Sequence, residues 1–567
     1  MKNIVTLIIG VLLFHSTKGQ NALFIPDSLM GKEINLTLQN GTHQFYSGQP
    51  TITMGANGNI LGPTLVLNQG DFINFTVNNQ LMNTTTIHWH GLHVAPENDG
   101  GPHTPILPNT TWSPSFTIMD KAATYWYHPH LHHFTNEHVS KGISGIIIVK
   151  DSIEAQLSLP RTYGIDDFPL VIQTKDFDVD NQIIVESNAD DVVMVNATIN
   201  PYLDVPSQVV RFRILNGSSQ RTFNLGLSNN QDFYQIASDG GLLNSSFQTT
   251  RLLLAPGERA EILIDFVGMN GQTTYLKSYA SELSNGIYGA TYPGMGQGLS
   301  MTGYNPNPLN GSDFDIMQFV VVPQTSNPII TVPLNLATVT PIPSNTSNIT
   351  RTLTFTPVTM GPDQLNGDFL INNASMDINI INYTIPFNNT EIWELINQSA
   401  ISHPFHIHDV QFYILSRNGV AAPINEQGRK DVVLVKPQET VRFIAKFEDF
   451  YNDTLPYMYH CHLLPHEDGG MMGQFIVENP VITGYSLSDN DFTIHPNPTD
   501  GAIHITSKKD FPIEKIELFN ALGQLLQTNR LAYIQDYKLF TNNFQSGVFI
   551  IKIYSGKNII TKNIIVH

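Results

Sequence analysis

The sequence predicts an all-β protein assembled from several sandwich domains, and three observations carry that expectation. Apolar residues make up 41% of the 567-residue chain but recur with little helical periodicity. They fall instead in short alternating runs bounded by Asn, Gly and Pro, with 41 Gly and 34 Pro in all, as strands joined by tight turns do. An alternating stretch that ends in an asparagine loop also recurs three times: Asp71 to Asn78 (DFINFTVN), Val209 to Asn216 (VVRFRILN) and Thr390 to Asn397 (TEIWELIN). Such a length accommodates several domains.

Taken in order, residues 1–19 read as a signal peptide: Lys2, an apolar run from Ile4 to Phe14, then small and polar residues before Gln20. That run is too short to span a bilayer, and no later segment reaches 18 apolar residues, so the mature protein is expected to be soluble. Three sandwiches are expected over 20–155, 156–325 and 326–480. The first and third repeat copies run on into HWHG and HPFHIH, whereas the second runs into RTFNLGL with no histidine. The middle domain is therefore expected to space the outer two. A separate module is expected over 485–567, and charge supports the boundary. This stretch carries 8 Lys plus Arg and 7 Asp plus Glu, net +1, while the chain without its two leader lysines carries 27 against 48, net −21. The acidity argues against nucleic acid as a partner and suits a protein outside the cell.

Residues 460 to 471 read HCHLLPHEDGGM, and Cys461 is the only cysteine in the chain. A single thiol in an exported protein, flanked by two histidines, is better suited to metal ligation than to a disulfide. Thiolate, imidazole and a weak thioether together select copper and build an electron-transfer centre. Cys461, His466 and Met471, five residues apart each time, offer three such ligands. A closed zinc site would use several cysteines.

His460 and His462 serve a second site, because on an extended strand they point away from the face that Cys461 occupies. Three more pairs have the same spacing: His88 and His90 in TIHWHG, His128 and His130 in YWYHPH, and His406 and His408 in SHPFHIH. His403, just upstream of the last pair, is the free histidine that the thiolate site lacks. His132, His133 and His138 break the register and read as supporting or surface residues. His43, His93, His103, His495, His504 and His567 have no partner spacing.

With HWHG, WYHPH, HPFHIH and HCHLLPHEDGGMM in the family order, the chain resembles the multicopper oxidases over about residues 25–480. The bacterial laccase-like and cuprous oxidases are the nearest in kind. The resemblance implies three cupredoxin-like Greek-key β-sandwich domains and four copper ions. Type 1 copper would be held by His403, Cys461, His466 and axial Met471, with Met472 disfavoured by the family spacing. Type 2 would be held by His88 and His406. The type 3 pair would take His90, His128 and His462 on one ion and His130, His408 and His460 on the other. The resemblance further implies one-electron oxidation of a small-molecule or metal-ion reductant, reduction of O2 to water, and no organic cofactor. Asp99 and Glu467 stand where related oxidases place carboxylates that relay protons.

The tail, with HPNPTDG, LFNALGQLL and SGVFIIKI, resembles the C-terminal sorting domain read by the type IX secretion machinery, although its closing KNIIVH lacks the usual terminal basic residue. An adhesive or carbohydrate-binding sandwich is the alternative. An exported or cell-surface location follows. Three functions are weighed: a laccase-like oxidase of phenols, a cuprous oxidase, and a copper-binding surface protein without turnover. A methionine-rich insert would favour the second, but residues 326–350 hold no methionine and Met295, Met301 and Met360 are scattered.

Overall fold

The structure is a computed structural model that describes residues 21–479 except 297, and 491–567 except 509, 510, 556 and 557. The expected leader at 1–19 lies outside the described residues. The alternating sequence of the first repeat appears as alternating burial: along Phe72–Asn79, Ile73, Phe75, Val77 and Asn79 point inward. Val209–Asn216 and Asn389–Asn397 are also strands. Each copy makes the same parallel pairing, with Glu33–His43, Asp167–Lys175 and Ile349–Pro357 respectively.

An asparagine at the end of each copy, Asn79 rather than the expected Asn78 in the first, has a shared physical task. The Oδ1 of Asn79, Asn216 and Asn397 accepts a hydrogen bond from the backbone N–H two residues on, at 2.9, 3.0 and 2.9 Å. Each Nδ2 donates forward to a carbonyl four or five residues on, namely Asn83, Arg221 and Ile401, at 2.8–2.9 Å. One side chain thus satisfies the polar backbone of a buried loop, which otherwise would have no partner.

Three cupredoxin-like sandwiches result, each packed around aromatic rings: Phe75, Trp89 and Phe116 in the first, Phe212, Phe266 and Phe319 in the second, and Trp393, Phe405 and Phe443 in the third. In the second copy the polar face of the alternation is not solvated. Arg211 and Arg213 are buried there, and both donate to Glu261, whose Oε1 also accepts from Thr124 of the first sandwich at 2.7 Å. Alternation marks an interface between sandwiches at this point, where one polar face would ordinarily meet water.

Residues 478–567 form a compact unit of their own. A three-stranded sheet and a four-stranded sheet enclose Ile503, Ile505, Ile516, Leu518, Ile551 and Ile553. Among the described residues the only α-helices are Thr135–Ser140 and Leu464–Asp468, and no helix is long and apolar enough to cross a membrane.

Candidate metal centre

Strand pairing brings the histidine pairs together. His88–His90 lies at the edge of a five-stranded sheet and runs antiparallel to Ala123–His128, with His88 opposite His128. The third sandwich repeats the arrangement, with His406 opposite His460 and Phe405 opposite Cys461. All eight paired imidazoles are buried. Nitrogens of His90, His128 and His462 lie within 4.8 Å of one another, as do those of His130, His408 and His460. Individual separations are shorter: His130 Nε2 is 3.0 Å from His460 Nε2 and 3.2 Å from His408 Nε2, and His90 Nδ1 is 3.3 Å from His128 Nε2. His88 and His406 converge with His90 in a further group.

The residues fit a metal. The Nε2 atoms of His88, His406 and His462 are buried without any hydrogen-bond partner. Burial costs so much for unpaired polar atoms that a ligand is the natural complement. Burial also holds the rings of His90, His128, His403, His406 and His408 well below the usual histidine range, and brings those of His130, His462 and His466 down to about 3. They are neutral at physiological pH, which is the form that binds metals.

One residue away is a different donor set. Cys461 Sγ lies 3.5 Å from His403 Nδ1 and 3.8 Å from His466 Nδ1, and the two nitrogens are 3.3 Å apart. Metal bonds of about 2.0 Å to nitrogen and 2.3 Å to sulfur would span a triangle of this size. Burial pushes the Cys461 thiol up, so without metal it keeps its proton. Met471 is fully buried, and its carbonyl accepts from the Cys461 N–H at 3.0 Å.

Asp99 holds the outward nitrogens of two rings, fixing their orientation and tautomer, and Glu467 lies close to two more. Asp99 Oδ2 is 2.8 Å from His408 Nδ1, and the Asp99 carbonyl is 2.8 Å from His88 Nδ1. Glu467 Oε2 lies 3.2 Å from His460 Nδ1, and Oε1 3.5 Å from His130 Nδ1. Burial raises the Glu467 carboxyl, but His460 and His130 outweigh it and hold the group well below its ordinary range. The two helices lock these pieces together: Asp468 accepts from the N–H groups of Thr135 and Asn136 in the first turn of Thr135–Ser140, at 3.0 and 2.9 Å. Leu464 N–H, at the start of the other helix, donates 2.9 Å to the Ser219 carbonyl of the middle sandwich.

Sequence reasoning missed several residues here. Ser399 Oγ sits 2.8 Å from His403 Nε2. Asp431 Oδ1 is 3.1 Å from His90 Nε2, and its carbonyl 2.8 Å from His406 Nδ1. His93 lies between Asp409 and Asp449, at 2.8 and 3.2 Å; burial lowers it, but the surrounding carboxylates raise it well above the usual range. Of these only Ser399 had a sequence signal, through the asparagine loop that contains it. His138 Nδ1 meets Thr85 Oγ1 at 3.1 Å, and His133 stacks on His132 with ring centres 3.7 Å apart.

A cavity of about 530 Å³ opens over His466 and is lined by His133, Glu186, Met301, Asp368 and Asp468 among others.

Comparison with known proteins gives a consistent family. Multicopper oxidase models match residues 37–154 and 342–481, and a secretion system C-terminal sorting domain model matches residues 493–567. Multicopper oxidase mco of Staphylococcus haemolyticus is 34% identical over 482 residues, spanning 82% of this chain and 94% of that protein. Cell division protein FtsP of Dickeya dadantii is 29% identical over 468 residues, spanning 81% and 93%. Among solved structures, a laccase-like multi-copper oxidase from the lignin-degrading bacterium Ochrobactrum sp. superimposes with a TM-score of 0.70 at 31% identity, over 80% of this chain and all of that one. That protein is described as having oxidase activity towards lignin model compounds and lignosulfonate.

Proposed function

The chain belongs to the multicopper oxidase family, and from that premise we propose that it is an exported, laccase-like oxidase of phenols or similar aromatic reductants with O2 as acceptor. One observation carries the reading: the continuous peptide His460–Cys461–His462 joins the thiolate donor set to both three-histidine groups. A storage or surface protein needs no such bridge.

In this reading four copper ions are held. His403, Cys461, His466 and Met471 form the type 1 site, and His88 and His406 the type 2 site. The type 3 pair takes His90, His128 and His462 on one side, and His130, His408 and His460 on the other. Copper there supplies one-electron oxidation of the reductant and four-electron reduction of O2 to two waters. His466, which lines the open cavity, is the edge that a reductant meets. Cys461 is bonded through its backbone to both His460 and His462, so the electron path between the sites is covalent. Asp99 and Glu467, against the outward nitrogens of His408 and His460, are placed to accept protons and pass them on to the reduction that consumes them.

A second reading has its own support. Met301, distant in sequence from every ligand motif, lines the cavity over His466 with Glu186, Asp368 and Asp468. The thioether is the donor that favours a soft cation, and the carboxylates add negative charge that attracts any cation, so the cavity is compatible with a cuprous oxidase. Oxygen uptake by the copper-loaded protein, with 2,6-dimethoxyphenol and Cu(I) compared side by side, decides between them. Strong preference for the phenol supports the first reading and preference for Cu(I) the second, whereas no uptake with either refutes both. The sorting domain at 493–567 fits export through the type IX machinery.

A further inference from the structure

The middle sandwich supplies none of the assigned ligands, but its segment Gly257–Arg259 reaches the cluster. Gly257 has φ +83°, and a Cβ placed there would lie 2.9 Å from the ring of His462. Two residues on, the buried Arg259 grips Asp431 with both arms of its guanidinium, Nη1 to Oδ1 at 2.6 Å and Nη2 to Oδ2 at 2.5 Å. Its remaining donors are used by the carbonyls of Thr124, Gly257 and Asp239. The backbone of Arg259 is held in turn, because its N–H donates to Asp239 Oδ1 at 2.8 Å. Lys430 then pairs with Asp239 and Glu258, at 2.9 and 3.1 Å.

Asp431 is placed between two ligands from different sandwiches. Its carboxylate accepts from His90 Nε2–H at 3.1 Å, which leaves His90 Nδ1 as the lone-pair nitrogen facing His128. Its main-chain carbonyl accepts from His406 Nδ1–H at 2.8 Å, which leaves the unpartnered Nε2 facing inward. The two rings lie nearly parallel, 3.7 Å between centres. A buried carboxylate with no cation would be costly away from water, and a two-armed guanidinium is the partner that fixes both its charge and its orientation.

We propose that Arg259 is a positioning residue of the copper cluster: by clamping Asp431 it sets the nitrogen that His90 and His406 each present, so the ligand-free sandwich determines cluster assembly. The inference rests on the oxidase reading above. It is distinct from the roles of Asp99 and Glu467, which touch other rings.

The test compares Arg259→Gln, Arg259→Lys and the double variant Arg259→Gln/Asp431→Asn as purified copper-loaded full-length proteins. The readouts are copper per chain, retention against a chelator, the type 2 electron paramagnetic resonance signal, and the blue absorbance. Arg259→Gln is expected to keep the blue absorbance, which reports Cys461, while cluster copper is retained about 10- to 100-fold less tightly. Arg259→Lys keeps the charge without the two-armed geometry and should be weakened in the same sense. The double variant removes both charges but leaves an amide oxygen in place of the carboxylate as acceptor for His90, and should regain cluster copper. If Arg259→Gln alone does not accumulate, Arg259→Lys and the double variant carry the comparison. Wild-type copper retention and signals in Arg259→Lys, or a double variant no better than Arg259→Gln, would overturn the proposal. A wild-type protein that binds no cluster copper at all would instead refute the oxidase reading beneath it.

Discussion

The hydroxyl of Ser399 lies 2.8 Å from Nε2 of His403, the ring nitrogen opposite the one that faces Cys461. The same hydroxyl is 2.8 Å from Asn397 Oδ1 and 2.9 Å from the Ile401 carbonyl, so it donates into the asparagine loop and accepts from His403. The loop that closes the third strand repeat therefore orients an assigned ligand of the thiolate site. Ser399→Ala is expected to shift the blue absorbance and the reduction potential of that site and to cost about 1 kcal/mol of stability, the net contribution of one such bond. Ser399→Thr should restore both. A redox titration showing identical potentials for Ser399→Ala and wild type would remove Ser399 from this role.

The two donor sets separate by mutation. Cys461→Ser should abolish the blue colour and reductant oxidation together, because serine offers no comparable soft donor. His130→Ala should stay blue and still accept one electron from substrate at the type 1 site, but consume no O2 in the steady state. Absorbance and an oxygen electrode are sufficient, and normal uptake by His130→Ala would refute the assignment of its ring.

Asp99→Asn and Glu467→Gln keep shape but cannot ionise near neutral pH. Turnover is expected to fall by about 10²-fold or more, as when a positioned acid or base is removed. Stopped-flow reduction of the blue site by substrate should remain close to the wild-type rate. Unchanged turnover across the pH range would reduce both residues to ring-orienting groups.

Copper-free protein should be sensitive to acid over a defined window. Burial brings the rings of His130, His462 and His466 down to about 3 in the folded state, while an unfolded imidazole protonates near about 6.5. Between those values the unfolded chain binds more protons, so stability falls as pH falls. The contribution is complete above about 6.5 and is lost on the way towards 3. Thermal melts of the chelator-stripped protein from pH ~7 to ~4 should show a steady decline, and a flat profile would contradict the burial argument.

A chain ending at Asn479 should fold, bind copper and oxidise substrate, since the compact unit that begins at Glu478 has its own core and none of the assigned ligands. Its native host should fail to place it outside the cell. Active enzyme in the medium would dismiss the sorting role, and loss of copper binding would dismiss the independence of the two units.

Much of this was legible in the sequence because metal ligation imposes short-range spacing. The four His-x-His pairs, Cys461, and the asparagine endings of the repeats are local patterns, and local patterns survive in one dimension. Arg259, Asp431 and His93 are not legible, because each acts through partners far away in the sequence. Arg259 and Asp431 are 172 residues apart. The alternation of Val209–Asn216 was visible as a strand, but a buried arginine face reads the same as a solvated one until Glu261 and Thr124 are seen against it. Met301 was visible only as a scattered residue, and its place in the cavity over His466 depends on the third dimension.

The carbonyl of Ser219 accepts from Leu464 N–H inside the loop that Asn216 closes. That loop belongs to the middle sandwich, which supplies no assigned ligand, yet it supports the helix bearing His466 and Glu467. A segment with no ligand of its own should therefore tolerate few substitutions, and its constraint should follow the blue site rather than the fold around it. Systematic mutation of residues 216–221 would reveal this as an island of intolerance, and designers who shorten or graft the middle domain should keep that loop intact.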